Sequence, residues 1–256
     1  MTFISFQNII KIMAKYWDKF LIDGVSYTLA LSAITVSCGA IFAVILAWMK
    51  MADIRPVKLL LGCFGLDCEF MDRGKLGKLF QVRPLRLIST AYIEIIRGTP
   101  MLLQLYFFYF ALPMLVPILN KQKFACVAIA LVCNSAAYLS EVVRSGIQAV
   151  DGGQTEAAKS LGLSNGKTMR FIVLPQAIKN ILPALGNEFI MVIKDTSLAS
   201  TFFIGDIMTQ YLLVKGTTYL PIEPLVIVGV IYFVMTFILS KLFGFAERKM
   251  SRGDKR

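Results

Sequence analysis

The sequence predicts an all-α integral membrane protein. Three observations carry that expectation. Hydrophobic residues make up 57% of the 256-residue chain and charged residues 17%, with a mean hydropathy of +0.68, outside the range of soluble domains. Residues Gly24 to Met49 form an uncharged apolar run longer than the ~20 residues that cross a bilayer. Lysine and arginine are sorted strongly into alternate loops.

Taken in order, the elements make five spans. Gly24–Met49 is the first, too long for a signal peptide. The run from Leu87 to Leu119 contains Glu94, Arg97 and the breaker Gly98-Thr99-Pro100, and it predicts one long kinked span that continues into a Pro113/Pro117 loop. Phe124–Ser140 is the third, closed by Glu141 and Arg144. Leu185–Ile207 is the fourth, its hydropathy interrupted by Glu188, Lys194 and Asp195, and Leu225–Ser240 is the fifth. Ahead of them, Phe3–Leu21 places Lys11, Lys15 and Lys19 on one helical stripe, which suits either an interfacial helix or a polar lead into the first span.

Orientation follows from the basic residues. Loop Lys50–Arg86 holds 8, Arg144–Lys179 holds 5 and the tail from Lys241 holds 6, against 3, 2 and 1 on the opposite side. The richer side is cytoplasmic by the positive-inside rule, which puts the N-terminus outside and the C-terminus in the cytoplasm. The basic excess behind the net charge of +11 is therefore mostly topogenic. No aromatic-basic platform accompanies it, so nucleic acid is excluded as a partner, and membrane lipid is expected.

Catalysis finds no residues to carry it. The absence of histidine removes the commonest general base. Five cysteines are an odd count, and Cys63 and Cys68 have no second pair to complete a metal site. Gly162-Leu163-Ser164-Asn165-Gly166-Lys167-Thr168 imitates a phosphate-binding loop but has one residue too few between its glycines and follows a helix-like segment. The chain has no nucleotide site of its own, no metal and no cofactor.

Between the third and fourth spans, Asp151–Asn180 is too polar to insert and too patterned to be a tether. Asp151-Gly152-Gly153 is a break, Gln154 or Thr155 starts a helix, Gly162 ends it, and Ser164 or Asn165 opens a second short helix that Pro175 terminates. Two short helices joined by a glycine turn make a rigid cytoplasmic knob.

Glu156-Ala157-Ala158, then Gly162, then Leu174-Pro175, resembles the EAA loop of permease subunits of bacterial ABC importers. Ile96-Arg97-Gly98-Thr99-Pro100 with Gln104 and Phe107, and Ile193-Lys194-Asp195-Thr196-Ser197-Leu198, resemble the polar amino acid subfamily. The likeness spans about residues 20 to 248; the loop from Leu59 to Val82 departs from it.

The resemblance implies a five-span bundle of the type I importer kind in the bacterial plasma membrane. It implies an N-terminal segment at 1–23, a permease domain at 24–246 with an insertion at 59–82 and a coupling loop at 151–180, and a basic tail at 247–256. Such a subunit pairs with itself or with a sister permease. It docks ATPase subunits that bind ATP and Mg, and it receives polar amino acids from an extracytoplasmic binding protein. Glu156, Ala157, Ala158, Gly162, Leu174 and Pro175 would couple it to the ATPase.

The charges inside spans need an account, because each costs about 2.5–3.5 kcal/mol at mid-bilayer. Glu94, Arg97, Lys194 and Asp195, with Gly98, Thr99, Pro100, Gln104, Thr196 and Ser197, either form intramembrane ion pairs and structural contacts or line the substrate pathway. In the second reading the break at Gly98-Thr99-Pro100 frees a half-helix N-terminus near Met101 for a substrate carboxylate, assisted by Arg97, while Glu94 or Asp195 faces the ammonium. A self-contained secondary transporter or channel is the alternative, separated by whether an ATPase co-purifies.

Overall fold

The computed structural model describes residues 5–51 and 83–251, and the described residues contain helices and no strands. The loop expected at 59–82, with Cys63 and Cys68, lies outside them. Helix α1 (Phe6–Trp17) passes through a π-helical turn (Asp18–Gly24) into α2 (Val25–Met51). α3 (Pro84–Gly98) and α4 (Met101–Leu115) meet at an elbow, and α5 (Lys123–Gln148) follows. Then come α6 (Gly152–Ser160), the single turn α7 (Asn165–Thr168), a π-helical turn (Met169–Val173), and α8 (Leu174–Asp195), which ends in a 3-10 segment (Thr196–Phe202). α9 (Ile207–Thr218) and α10 (Glu223–Ser251) close the described chain.

Phe6–Met51, Lys123–Gln148 and Glu223–Met250 are each long and apolar enough to cross a membrane; five segments qualify if each bent pair is one span. The first bent pair falls on the apolar run expected to form one kinked span, and its bend is sharp. α3 and α4 turn through 109°, because Gly98-Thr99-Pro100 interrupts the helix and Pro100 becomes the N-cap of α4. Within the fourth segment Phe203 (φ 52°) and Gly205 (φ +100°) break the chain, and α9 departs at 44°.

α5 is the centre of the bundle, flanked by α2, α4 and α8. Its buried face alternates Ala128, Ala130, Ala136 and Ala137 with Val127, Leu131 and Leu139. Small side chains suit this position, since helices in lipid associate through close packing rather than expulsion of water. Gly39 of α2 passes so near α5 that a β-carbon there would sit 3.3 Å from Ser135. At Gly146 the approach is closer, with an added β-carbon 2.4 Å from Ile181 of α8. Gly146→Ala is therefore expected to cost about 1–3 kcal/mol by overpacking, read as a lower thermal midpoint of the purified chain in detergent. An unchanged midpoint would mean that α5 and α8 do not meet there.

α1 packs against the end of the bundle. Ile12 and Phe20 are buried with Tyr211, Val214, Ile227, Val228 and Ile231 of α9 and α10, while Lys11, Lys15 and Lys19 stay exposed. The other end of the chain is also helical further than its charges suggest, since α10 runs to Ser251.

Candidate functional site

The knob stands where Asp151–Asn180 predicted it, with different punctuation. Asp151, rather than Gln154 or Thr155, caps α6: its carboxylate accepts the Gly153 N–H at 3.0 Å, and Gly152-Gly153 form the first turn instead of a break. The helix stops at Ser160, where the Gly162 N–H donates to the Lys159 carbonyl and Gly162 takes φ +80°, a conformation that costs a residue with a β-carbon about 1–2 kcal/mol. Ser164 is the N-cap of α7 through its backbone, accepting from the Thr168 N–H at 2.9 Å.

Pro175 does not terminate this second helix. It falls in the first turn of α8, where a missing N–H costs no helical bond, and the π-helical turn before it carries the chain through. α7, the π turn and α8 therefore run on as one continuous lever, with Leu174 and Pro175 at the start of α8. α6 lies against α7 and the π turn, burying Ala158 and exposing Glu156, Ala157 and Leu161. Leu161 is 83% exposed, an apolar side chain that the motif passes over.

The elbow between α3 and α4 is held by a polar knot. Gln104 is buried, and its side-chain amide donates to the Ile96 carbonyl (2.6 Å), the Thr99 carbonyl (3.1 Å) and the Thr99 hydroxyl (2.7 Å). The Thr99 hydroxyl in turn donates to the Ile95 carbonyl at 2.9 Å. These bonds satisfy carbonyls that the end of α3 leaves without helical partners. Asn134 of α5 donates to Gln104 Oε1 at 2.8 Å, which fixes which way the Gln104 amide points. Asn134 was not among the residues singled out by sequence.

Glu94 and Arg97 are exposed and, among the described residues, form no ion pair; the Arg97 guanidinium instead lies 5.1 Å from the centre of the Tyr138 ring. Lys194 and Asp195 end α8, also without an ion pair to a described residue. The Thr196 hydroxyl donates to the Ile193 carbonyl at 2.6 Å and is fully buried. Lys194 and Ser197 border a cavity of about 330 Å³ with Met208, Leu225, Val228, Gly229 and Tyr232.

The two polar segments adjoin one apolar core. Leu105 of α4, Ala199 and Phe202 of the 3-10 segment, and Val127 and Leu131 of α5 are buried together, with Met101 and Leu198 packed at the edge. Tyr109 stacks on Phe202 (4.3 Å between ring centres) and Tyr106 meets it edge-on (5.1 Å). The aromatic residues Tyr106 to Phe110 are thus split, with Phe108 and Tyr109 packed against this core while Tyr106, Phe107 and Phe110 remain exposed.

A buried carboxylate completes the break before α9. Asp206 caps that helix by accepting the Met208 N–H at 3.1 Å and the Thr209 hydroxyl, and the Ile207 N–H donates to Thr28 of α2 at 3.2 Å. Among the described residues, the ion pairs gather on Glu141. Lys50 of α2 pairs with Glu141 of α5, and Arg144 donates to Glu141 at 2.8 and 2.9 Å. Ser135 of α5 donates to Glu188 of α8 at 3.0 Å.

This geometry, a polar helical knob hung between two apolar helices, coincides with a family match. Residues 76–252 match the family described as binding-protein-dependent transport system inner membrane component. The chain belongs to that family. The membership makes it a membrane permease subunit of an ABC importer and replaces the reading of a self-contained transporter.

Among relatives, it is 36% identical over 235 residues to the arginine transport system permease protein ArtQ of Bacillus subtilis, covering 92% of this chain and 94% of that one. It is also 36% identical over 245 residues to a putative glutamine transport system permease protein GlnP of Rickettsia bellii, covering 96% and 98%. A crystal structure described as an amino acid ABC transporter with histidines superposes with a TM-score of 0.79 at 37% identity, over 97% of this chain and 100% of that one. The MetNI methionine transporter shares the fold, with a TM-score of 0.68 at 14% identity over 96% and 99% of the two chains.

Proposed function

We propose that this permease carries polar amino acids inward across the bacterial plasma membrane, and that α6 is the helix through which a separate ATPase drives it. The observation that carries the proposal is the knob itself. α6 is short, capped at Asp151, stopped at Gly162, seated on the root of α8 and exposed along Glu156, Ala157 and Leu161. A stiff helix of this kind transmits the closing of an ATPase pair as rigid-body motion, which a flexible loop cannot do. The ATPase supplies ATP and Mg chemistry, an extracytoplasmic binding protein delivers the substrate, and a second copy or sister permease completes the pathway.

The arginine and glutamine systems named for its relatives support a substrate with a zwitterionic backbone and a polar side chain. Within the chain, the elbow at Gly98-Thr99-Pro100 and the segment Lys194–Ser197 are the pathway segments we assign. Each carries polar groups, and Arg97, Lys194 and Asp195 form no ion pair among the described residues. Arg97 and the first turn of α4 suit the carboxylate, and Asp195 or Glu94 the ammonium.

The test is co-expression with the neighbouring ATPase and reconstitution with the binding protein in liposomes. The unmodified complex is expected to hydrolyse ATP faster when loaded binding protein is added, and Gly162 or Glu156 replacements to lose that stimulation with the complex still assembled. Uptake driven by an ion gradient, with no ATPase bound, would overturn the proposal.

A further inference from the structure

Among the described residues the knob joins the bundle at its root, where the ends of α5 and α8 meet it. A continuous line of side-chain bonds reaches that root from the first long helix. Lys50, in the last turn of α2, pairs with Glu141 of α5 across 91 positions of sequence. Arg144 donates to Glu141 through Nε at 2.9 Å and Nη2 at 2.8 Å, and through Nη1 to Gln148 at 2.5 Å. Gln148 is the last residue of α5, three positions before the Asp151 cap of α6.

The side chains of Lys50 and Glu141 are 21% and 19% exposed, so the pair is partly withdrawn from solvent, where screening is weaker than at a free surface. On the other side of α5, Gly146 lets α8 approach to contact, and Asn180 donates to the Gly146 carbonyl at 3.4 Å. α5 is thus tied on both flanks within about three turns of the knob.

We propose that Lys50, Glu141 and Arg144 are positioning residues for coupling: they fasten the root of the knob to α2, so that displacement of α6 moves α2 and α5 as one body. Without the fastening, the end of α5 yields locally and the motion is spent before it reaches the pathway. The inference rests on the reading of α6 as the ATPase-facing helix. The ladder is specific in what it demands: a cation at 50, an acceptor for two donors at 141 and a planar donor fork at 144.

The experiment uses the full complex of permease, ATPase and binding protein in liposomes, with ATP hydrolysed and substrate taken up measured together. Lys50→Met is expected to assemble normally, to keep its basal hydrolysis and to lower stimulation by loaded binding protein at least 5-fold, with fewer substrates moved per ATP. Lys50→Arg is expected to restore both. Arg144→Gln leaves the Lys50–Glu141 pair in place and is expected to lower the uptake-to-hydrolysis ratio as well, which provides a second reading if Lys50→Met does not assemble.

A purely structural contribution would lower assembly and basal hydrolysis together without changing that ratio. Full stimulation and an unchanged ratio in either variant would overturn the fastening. A Leu161→Asp complex run beside them separates the two ideas. If that knob variant loses stimulation while Lys50→Met and Arg144→Gln keep it, the fastening fails and the coupling helix stands; if none of the three loses it, both fail.

Discussion

Leu161→Asp is expected to reduce binding-protein-stimulated ATP hydrolysis tenfold or more while leaving the permease folded. Leu161 is 83% exposed and follows α6, whose residues Glu156 and Ala157 are exposed as well. A surface leucine contributes little to the stability of its own chain, so a charge there should shift the thermal midpoint only slightly. At a docking site the same leucine is an apolar anchor, and losing a central anchor costs about 2 kcal/mol or more, equivalent to a drop in affinity of roughly 30-fold. Co-purification of the ATPase and its stimulation should fall together. Wild-type stimulation in an assembled Leu161→Asp complex would remove Leu161 from the interface.

Gln104→Leu is expected to act at the elbow between α3 and α4 and to cost both stability and uptake. Leucine fits the volume of Gln104 but leaves the Ile96 and Thr99 carbonyls and the Asn134 amide without their partner. Unsatisfied groups of this kind cost about 1–3 kcal/mol each where they stay buried, and partial relaxation at the elbow brings the expected total to about 2–4 kcal/mol. Gln104→Glu separates the two halves of the knot: it can still accept from Asn134 but, ionised, cannot donate to the elbow carbonyls. It should therefore destabilise α3 against α4 nearly as much, measured as a lower thermal midpoint and a fall in uptake per assembled complex. A midpoint matching the unmodified protein in both variants would mean that the 109° turn is held by something other than this knot.

The knob could be read in the sequence because its punctuation is local. Gly162 and Ser164 act within a few residues of themselves, through a left-handed turn and a cap, and no distant partner is needed to place them; Asp151, expected in a break, instead caps α6. The elbow was half legible. Gly98-Thr99-Pro100 announced that the helix must stop, but the angle depends on Gln104 reaching back to Ile96 and on Asn134, 30 positions away, holding Gln104 in register. Pro175 misled because a proline ends a helix only when it lies in the interior; here the chain enters it from a π turn and makes it a first-turn residue.

The sequence by itself determined the solvent and the class of fold. Uninterrupted apolar runs can satisfy their backbone groups in lipid only as helices, and the sorting of basic residues gives those helices an expected direction. It also determined the family, through motifs whose residues are neighbours in the chain. Only the tertiary structure decided which polar groups meet. Lys50 finds Glu141, Ser135 finds Glu188 and Thr28 accepts from Ile207, pairs separated by 91, 53 and 179 positions. Such meetings depend on how closely helices approach, which Gly39 and Gly146 permit at single points on α2 and α5. A hydrophobic pattern specifies a face, but the contact made on that face is set by the shape of the helix lying against it.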